Sequence, residues 1–216
     1  MTDLRLFASL LLILAACGGS EPQKEIPRTP AENEAEEAIQ KELACLEAVN
    51  QVCQSGVWFV LLQDPIADLP IEELGDVRVE DSVRNEGGYL WVNRTLYFPE
   101  GRFIIEGDFI DAQKANDSIL NATSVNRIRI EHPAYKSQEG IAVGNTVAEI
   151  QKLTPTGNWQ VQVIPDYQII SLQKGDGTMP ILHIADPGNE ISDRLGETLS
   201  VETMDPTLQI SAMVVM

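Results

Sequence analysis

The sequence predicts an α+β protein: mostly antiparallel β-sheet with an N-terminal amphipathic helix and one short internal helix. Three observations carry this expectation. From Val57 onward, short apolar runs are punctuated by Gly, Pro, Asp and Asn, the pattern of strands and turns. Before Val57 the apolar residues recur at helical spacing instead: Ile39, Leu43, Leu46 and Cys53 share a face, with Ala35 nearby and Val49 at its edge. Within the β-rich part, Thr146-Val147-Ala148-Glu149 is a capping box, followed by Ile150 and Leu153 and closed before Pro155.

Taken in chain order, the first segment is an address. Met1 to Arg5 precede an apolar stretch, Leu6 to Ala16, too short to span a bilayer as a helix but matching a signal-peptide core. Leu14-Ala15-Ala16-Cys17 closes it. This run resembles the lipobox of bacterial lipoproteins, which implies cleavage before Cys17, diacylation of its thiol and acylation of the new amino group. One acyl chain holds a protein only marginally, at about 0.8 kcal/mol per buried methylene, whereas three anchor it essentially permanently. Gly18 stands where well-studied Gram-negative lipoproteins retained at the inner membrane carry Asp. The resemblance therefore implies the outer membrane, facing the periplasm, with surface exposure left open by Glu21 and Glu25 near the anchor.

Residues 17–29 form the expected linker. Gly, Ser, Pro, Glu and Lys dominate it, and Ile26 is its only large aliphatic, so it has nothing to bury. Thr29 then reads as an N-cap, Pro30 as the first helical residue and Glu32 as the third member of a capping box. The helical region spans 30–54, and its apolar stripe is expected to pack on the domain or to pair with a partner helix. Residues 55–216 follow as a single β-rich domain.

With Cys17 acylated, Cys45 and Cys53 are left as a pair in an oxidising compartment, where a disulfide is expected. Eight residues of unbroken helix would hold their Cα atoms about 12 Å apart, whereas a bridge needs roughly 4.4 to 6.8 Å. Either the helix breaks between them, near Asn50, or the thiols stay apart. Without a CxxC or paired histidines, neither a redox role nor a zinc site is supported.

In the β-rich part, Val57 to Leu62 reads as a buried strand. Tyr89 to Phe98 and Phe103 to Ile110 flank the turn Pro99-Glu100-Gly101-Arg102 and form the clearest hairpin. Further strands are expected at Arg127 to Glu131, Trp159 to Ile164, Tyr167 to Leu172, Met179 to Ile184 and Leu208 to Val215, with Gly175-Asp176-Gly177 as a turn. The segment HPAYKSQEGIAVGNTVAEIQKL, residues 132–153, resembles a motif of uncharacterised bacterial lipoproteins known only as domains of unknown function. That likeness implies an α+β periplasmic fold with no assigned activity.

Composition narrows the partners. Thirty-three acidic residues against fifteen basic ones give a formal net charge of −18. Such an excess repels nucleic acid and anionic lipid headgroups, whose binding depends on clustered Lys and Arg. No catalytic, cofactor-binding or metal-ligating constellation is found: there is no GxSxG, HExxH, GxGxxG or P-loop spacing. His183 is expected in a strand with its ring hydrogen-bonded. Glu106 and Asp108 share a predicted strand face without an EF-hand loop around them. Residues 114–136 carry a local excess of bases, in which Arg127 and Arg129 point the same way. They are candidates for an acidic partner or another copy of this acidic body, or else they pair with carboxylates on neighbouring strands. Two functions follow. One is a non-catalytic membrane-anchored lipoprotein, held by Cys17, a binding or structural module for a protein, such as an envelope protein, or another envelope component; the other is a periplasmic or surface hydrolase using carboxylates on a saccharide or peptide.

Overall fold

The apolar runs after Val57 build one large antiparallel sheet. The computed structural model describes residues 30–86, 89–107, 110–111, 123–156, 158–164, 169–177, 179–185 and 200–216. The chain divides into two compact units, Met1–Glu37 and Ala38–Met216; of the first, residues 30–37 are described, and they are helical.

Helix α1 covers Pro30–Glu47. The strands are β1 (Gln51–Val52), β2 (Gly56–Val57), β3 (Val60–Leu61), β4 (Arg78–Glu86), β5 (Tyr89–Phe98), β6 (Gly101–Gly107), β7 (Ile110–Asp111), β8 (Val125–Glu131) and β9 (Lys136–Ser137). Helix α2 (Val147–Leu153) follows, then β10 (Trp159–Ile164), β11 (Ile169–Lys174), β12 (Ile181–Ala185) and β13 (Ile210–Val215). Among the described residues, eight strands run side by side in the order β10-β11-β12-β13-β8-β6-β5-β4, and β7 pairs with β5. The architecture is α+β and mostly β.

Alternation in the central strands sorts the two faces. Val92 and Leu96 of β5, Phe103 and Ile105 of β6, and Ile128 and Ile130 of β8 are buried together with Val57, Phe59, Val60, Ile66, Tyr135, Ile141, Val147 and Ile150. The sheet thus buries one face beneath the segments before β4 and after β8. Burial of each such aliphatic contributes roughly 1.5 to 3 kcal/mol, which is why the period of two is kept so strictly there. Aromatic rings thicken the core at one end, where Phe103 meets Tyr135 edge-on at 4.7 Å and Phe59 at 5.2 Å.

Several expectations are corrected. Val57 to Leu62 is not one strand but a tight hairpin, β2 with β3, turning at Trp58 and Phe59. Gly56, at φ +146°, is needed there, because a Cβ would sit 2.2 Å from the Val60 carbonyl oxygen. The strand expected to run from Phe103 to Ile110 ends at Gly107, with a register shift between Glu106 and Gly107. Asp108 lies outside the described residues, as do Cys17, Thr29 and Tyr167. Strand β4 was not expected at all.

The helix does not pack as its spacing suggests. Ile39 and Leu43 are 59% and 50% exposed, whereas Cys45 is buried. The reason is tethering. Cys45 is bonded to Cys53 with their Cα atoms 5.9 Å apart, and the Glu42 carboxylate accepts hydrogen bonds from the Ser55 backbone N–H (2.9 Å) and hydroxyl (2.6 Å). These contacts turn the Glu42–Cys45 side inward, and Leu43 lies about 160° round the helix from Cys45 at 100° per residue. The chain leaves helical geometry after Glu47, and Asn50 takes a positive φ of 65°. That break is what brings the two cysteines within reach.

Helix α2 starts as its capping box requires. Thr146 Oγ1 accepts from the Glu149 N–H at 3.3 Å, and Glu149 Oε2 accepts from the Thr146 N–H at 2.8 Å.

Candidate functional site

The solvent-facing side of β4, β5, β6 and β8 is where the described residues concentrate charge. Odd-numbered residues of β5 and, from Arg127 onward, of β8 share this face with even-numbered residues of β6 and β4 by alternation and register. Arg127 lies directly across from Glu106 and donates to it; the two strands impose the pairing, because these residues are cross-strand partners. Arg129 Nε donates to Glu131 Oε1 at 2.6 Å, and Arg102 Nε donates to Glu131 Oε2 at 2.6 Å. Burial works against the Glu131 carboxylate, but the hydrogen bonds from Arg102 and Arg129 outweigh it and hold its pKa below the ordinary range. Reciprocally, the bond to Glu131 raises Arg102 above its usual value.

Beside this ladder lies a shallow, open depression of about 340 Å³, lined by Arg84, Trp91, Glu106, Gly107, Asn126, Arg127 and Met216. Its floor offers an indole and two guanidinium groups. Glu106 is the one carboxylate among these lining residues, and it is engaged by Arg127. A glycosidase-like pair of opposed carboxylates is not assembled here.

A second depression, about 270 Å³, is lined by Gln151, Thr154, Pro155, Trp159, Val201 and Glu202. Its polar groups are largely committed. Gln151 donates to the Val201 carbonyl at 2.7 Å, and the Thr154 hydroxyl donates to the Ile150 carbonyl at 2.7 Å. The Trp159 indole nitrogen is buried without a hydrogen-bond partner.

The residues singled out in the sequence are scattered among these features. Arg127 lines the first depression, while Arg129 sits beside it with its guanidinium on Glu131. Cys45 and Cys53 are buried in the disulfide and far from chemistry in kind: they staple the end of α1 to the segment before β2. His183 is in β12, across from Ser171 and Ala212. Its ring differs from expectation, since Nδ1 is buried and makes no hydrogen bond. Burial and then the positive charges of Arg129 and Arg127 push its pKa down to about 4, so the ring is neutral at pH 7. Among the described residues, no group of three or more His, Cys, Asp or Glu side chains is placed to hold a metal.

Sequence reasoning missed Arg84 and Trp91, which face each other across β4 and β5. The signal was present in Arg-Val-Glu-Asp-Ser-Val-Arg, where Val79 and Val83 recur at four rather than two, a spacing that hides a strand.

No family model and no curated protein matches the chain. Among solved structures, the chain is similar in fold to the crystal structure of the uncharacterized protein yfeY from Escherichia coli. The match has a TM-score of 0.50 at 10% identity and covers 76% of this chain and 98% of that one. At that identity the likeness is one of fold.

Proposed function

We propose that this chain is a lipid-anchored lipoprotein of the bacterial envelope, held at Cys17, whose β-rich body is a non-catalytic binding or structural module. The observation that carries the anchor is the run Leu14-Ala15-Ala16-Cys17 after an eleven-residue apolar core in the sequence. What favours binding over chemistry is the outer face of β4, β5, β6 and β8. The carboxylates of Glu106 and Glu131 on it are spent on neighbouring guanidinium groups, and its depression is open, presenting the Arg127 side to a partner surface. The partner is an envelope protein, with its acidic side chains meeting Arg127. Arg129 takes a lesser part, being committed to Glu131.

In this reading residues 17–29 are a linker and residues 55–216 one domain. Helix α1 is an amphipathic segment between them, with Ile39 and Leu43 facing solvent. Among the described residues no helix is long and apolar enough to cross a membrane. In the same reading, Gly18 after the acylated cysteine favours the outer membrane, with the body facing the periplasm.

The test is membrane fractionation with mass spectrometry of the N-terminal peptide from the native host. A triacylated peptide beginning at Cys17, together with release of Cys17→Ala into the soluble fraction, is the expected result. An unmodified Cys17 would sink the anchor. For the binding role, a photocrosslinker at position 91 is expected to trap one defined envelope protein, with yield reduced by Arg127→Glu; indifference to that substitution counts against the proposed face.

A further inference from the structure

Strand β4 is a nine-residue edge. It pairs with β5 along its whole length, and among the described residues no strand pairs with its other side. Residues 78–85 are all exposed. Its two apolar side chains, Val79 and Val83, lie on the core-facing side of the sheet, across from Leu96 and Val92, yet remain 36% and 49% exposed. An unpaired row of backbone N–H and C=O groups is a template for another strand, and charges on such an edge ordinarily block chance partners. Here their order does something more selective.

By register, positions Arg78, Glu80, Ser82, Arg84 and Glu86 of β4 share the outer face, where Arg78 and Glu80 also pair with each other along the strand at 3.2 Å. We propose that this edge is self-complementary and pairs antiparallel with β4 of a second copy of this chain, about a two-fold axis at Ser82. In an antiparallel pair related by a two-fold, the axis must pass through a residue, because opposed residues share a face. With the axis at Ser82, Glu80 lies opposite Arg84 of the second copy and Arg78 opposite Glu86. Every charged position on this face then meets its opposite, and each pair occurs twice by symmetry. Moving the axis to Asp81 sets Arg78 against Arg84, and moving it to Val83 sets Glu80 against Glu86. Both alternatives place like charges in register, which disfavours them.

The other face agrees. With the axis at Ser82, Val83 falls opposite Asp81 and diagonal to the second copy's Val83, while Val79 falls diagonal to that same Val83. The exposed valines of both copies become one apolar row, and Asp81 keeps its bonds to Arg94 at 2.8 and 3.0 Å. The pairing joins two eight-stranded paths into one continuous sheet, a form of strand addition in which main-chain bonds supply affinity and side chains supply register.

The full-length chain in detergent is the material for the test, with native mass spectrometry and sedimentation reading the oligomeric state. The wild type is expected to be a dimer. Glu80→Lys and Arg84→Glu are each expected to weaken dimerisation about tenfold or more, since each reverses two pairs, and the double variant to recover it. Ser82→Cys is expected to form a disulfide-linked dimer on mild oxidation that the wild type does not, because opposed Cα atoms lie about 4.5 to 5.5 Å apart. Val83→Cys is expected to crosslink poorly by comparison. A monomer at all concentrations overturns the proposal. So does a dimer indifferent to the charge reversals, or one that crosslinks through Val83→Cys and not through Ser82→Cys.

Discussion

Two Arg–carboxylate pairs in this sheet have the same register relationship and opposite surroundings. Arg94 faces Asp81 across β5 and β4, and Arg127 faces Glu106 across β8 and β6. Arg94 lies on the core side, with its side chain 11% exposed. It grips both oxygens of Asp81 and also donates to the Ile66 carbonyl at 2.8 Å. Arg127 lies on the outer side, 45% exposed, and rests on one oxygen of Glu106. Cross-strand position makes both pairs possible, but the side of the sheet decides what each is worth. Inside, every donor must be satisfied; outside, water substitutes for a lost partner.

The largest effect expected from this contrast is at Arg94. Arg94→Ala leaves Asp81 and the Ile66 carbonyl without their donor; with the guanidinium largely buried and Asp81 partly solvated, the loss is expected at about 2 to 3 kcal/mol, measured by chemical unfolding. Replacing both members with apolar residues, Arg94→Met with Asp81→Val, is expected to return most of that loss. If the single and double variants are equally unstable, packing rather than ionic pairing holds this corner together.

Glu131 is intermediate, and pH separates its contribution from mere packing. Its side chain is 18% exposed and bridges two guanidinium groups. Glu131→Gln is expected to cost about 1 to 2 kcal/mol at pH 7, by weakening charge-assisted hydrogen bonds. Because its folded pKa lies below the ordinary 4.5, the stability it contributes is fully present above that value and is lost as the pH falls through the folded pKa. The gap between wild type and Glu131→Gln should therefore narrow in acid, and a gap independent of pH from 7 to 3 would point to shape alone.

These pairs also show how far the sequence could be read. The strands β5, β8 and β10 are legible because apolar residues alternate, β13 because its apolar run is continuous, and α2 because Thr146 and Glu149 sit three apart before an aliphatic pair. The cross-strand option for Arg127 was legible as one of two fates, since a strand pattern fixes the face but not the neighbour. Strand β4 was hidden, as both its faces are exposed and selection for burial has left no period of two. Arg94 was hidden for the converse reason: it occupies the core parity between Val92 and Leu96, where an apolar residue is expected, and only the Asp81 partner makes it tolerable. The orientation of α1 was illegible because a disulfide and one Glu42–Ser55 contact override its apolar stripe.

A smaller effect is expected at Arg127. Arg127→Ala should cost less than about 1 kcal/mol, and a double-mutant cycle with Glu106→Ala should return a coupling of similar size. A coupling comparable to that of Arg94 with Asp81 would erase the distinction between the two faces.

The smallest expected effect is carried from Arg127 to a neighbour without breaking any bond. His183 is neutral at pH 7 because burial and then the charges of Arg129 and Arg127 depress its pKa to about 4. An unfolded His takes up its proton near 6.5, so between 6.5 and 4 the unfolded state binds more protons and stability falls as the pH drops; above 6.5 this group adds no slope. The imidazole resonances followed by NMR should therefore titrate near 4 rather than near 6.5. Removing a positive charge eases protonation, so Arg127→Ala should raise that midpoint, and Arg129→Ala should raise it further. Both shifts stay smaller than the one burial imposes. If neither substitution moves the midpoint, the outer-face guanidinium charges are already screened by Glu106 and Glu131, and the ladder behaves as neutral pairs toward the rest of the sheet.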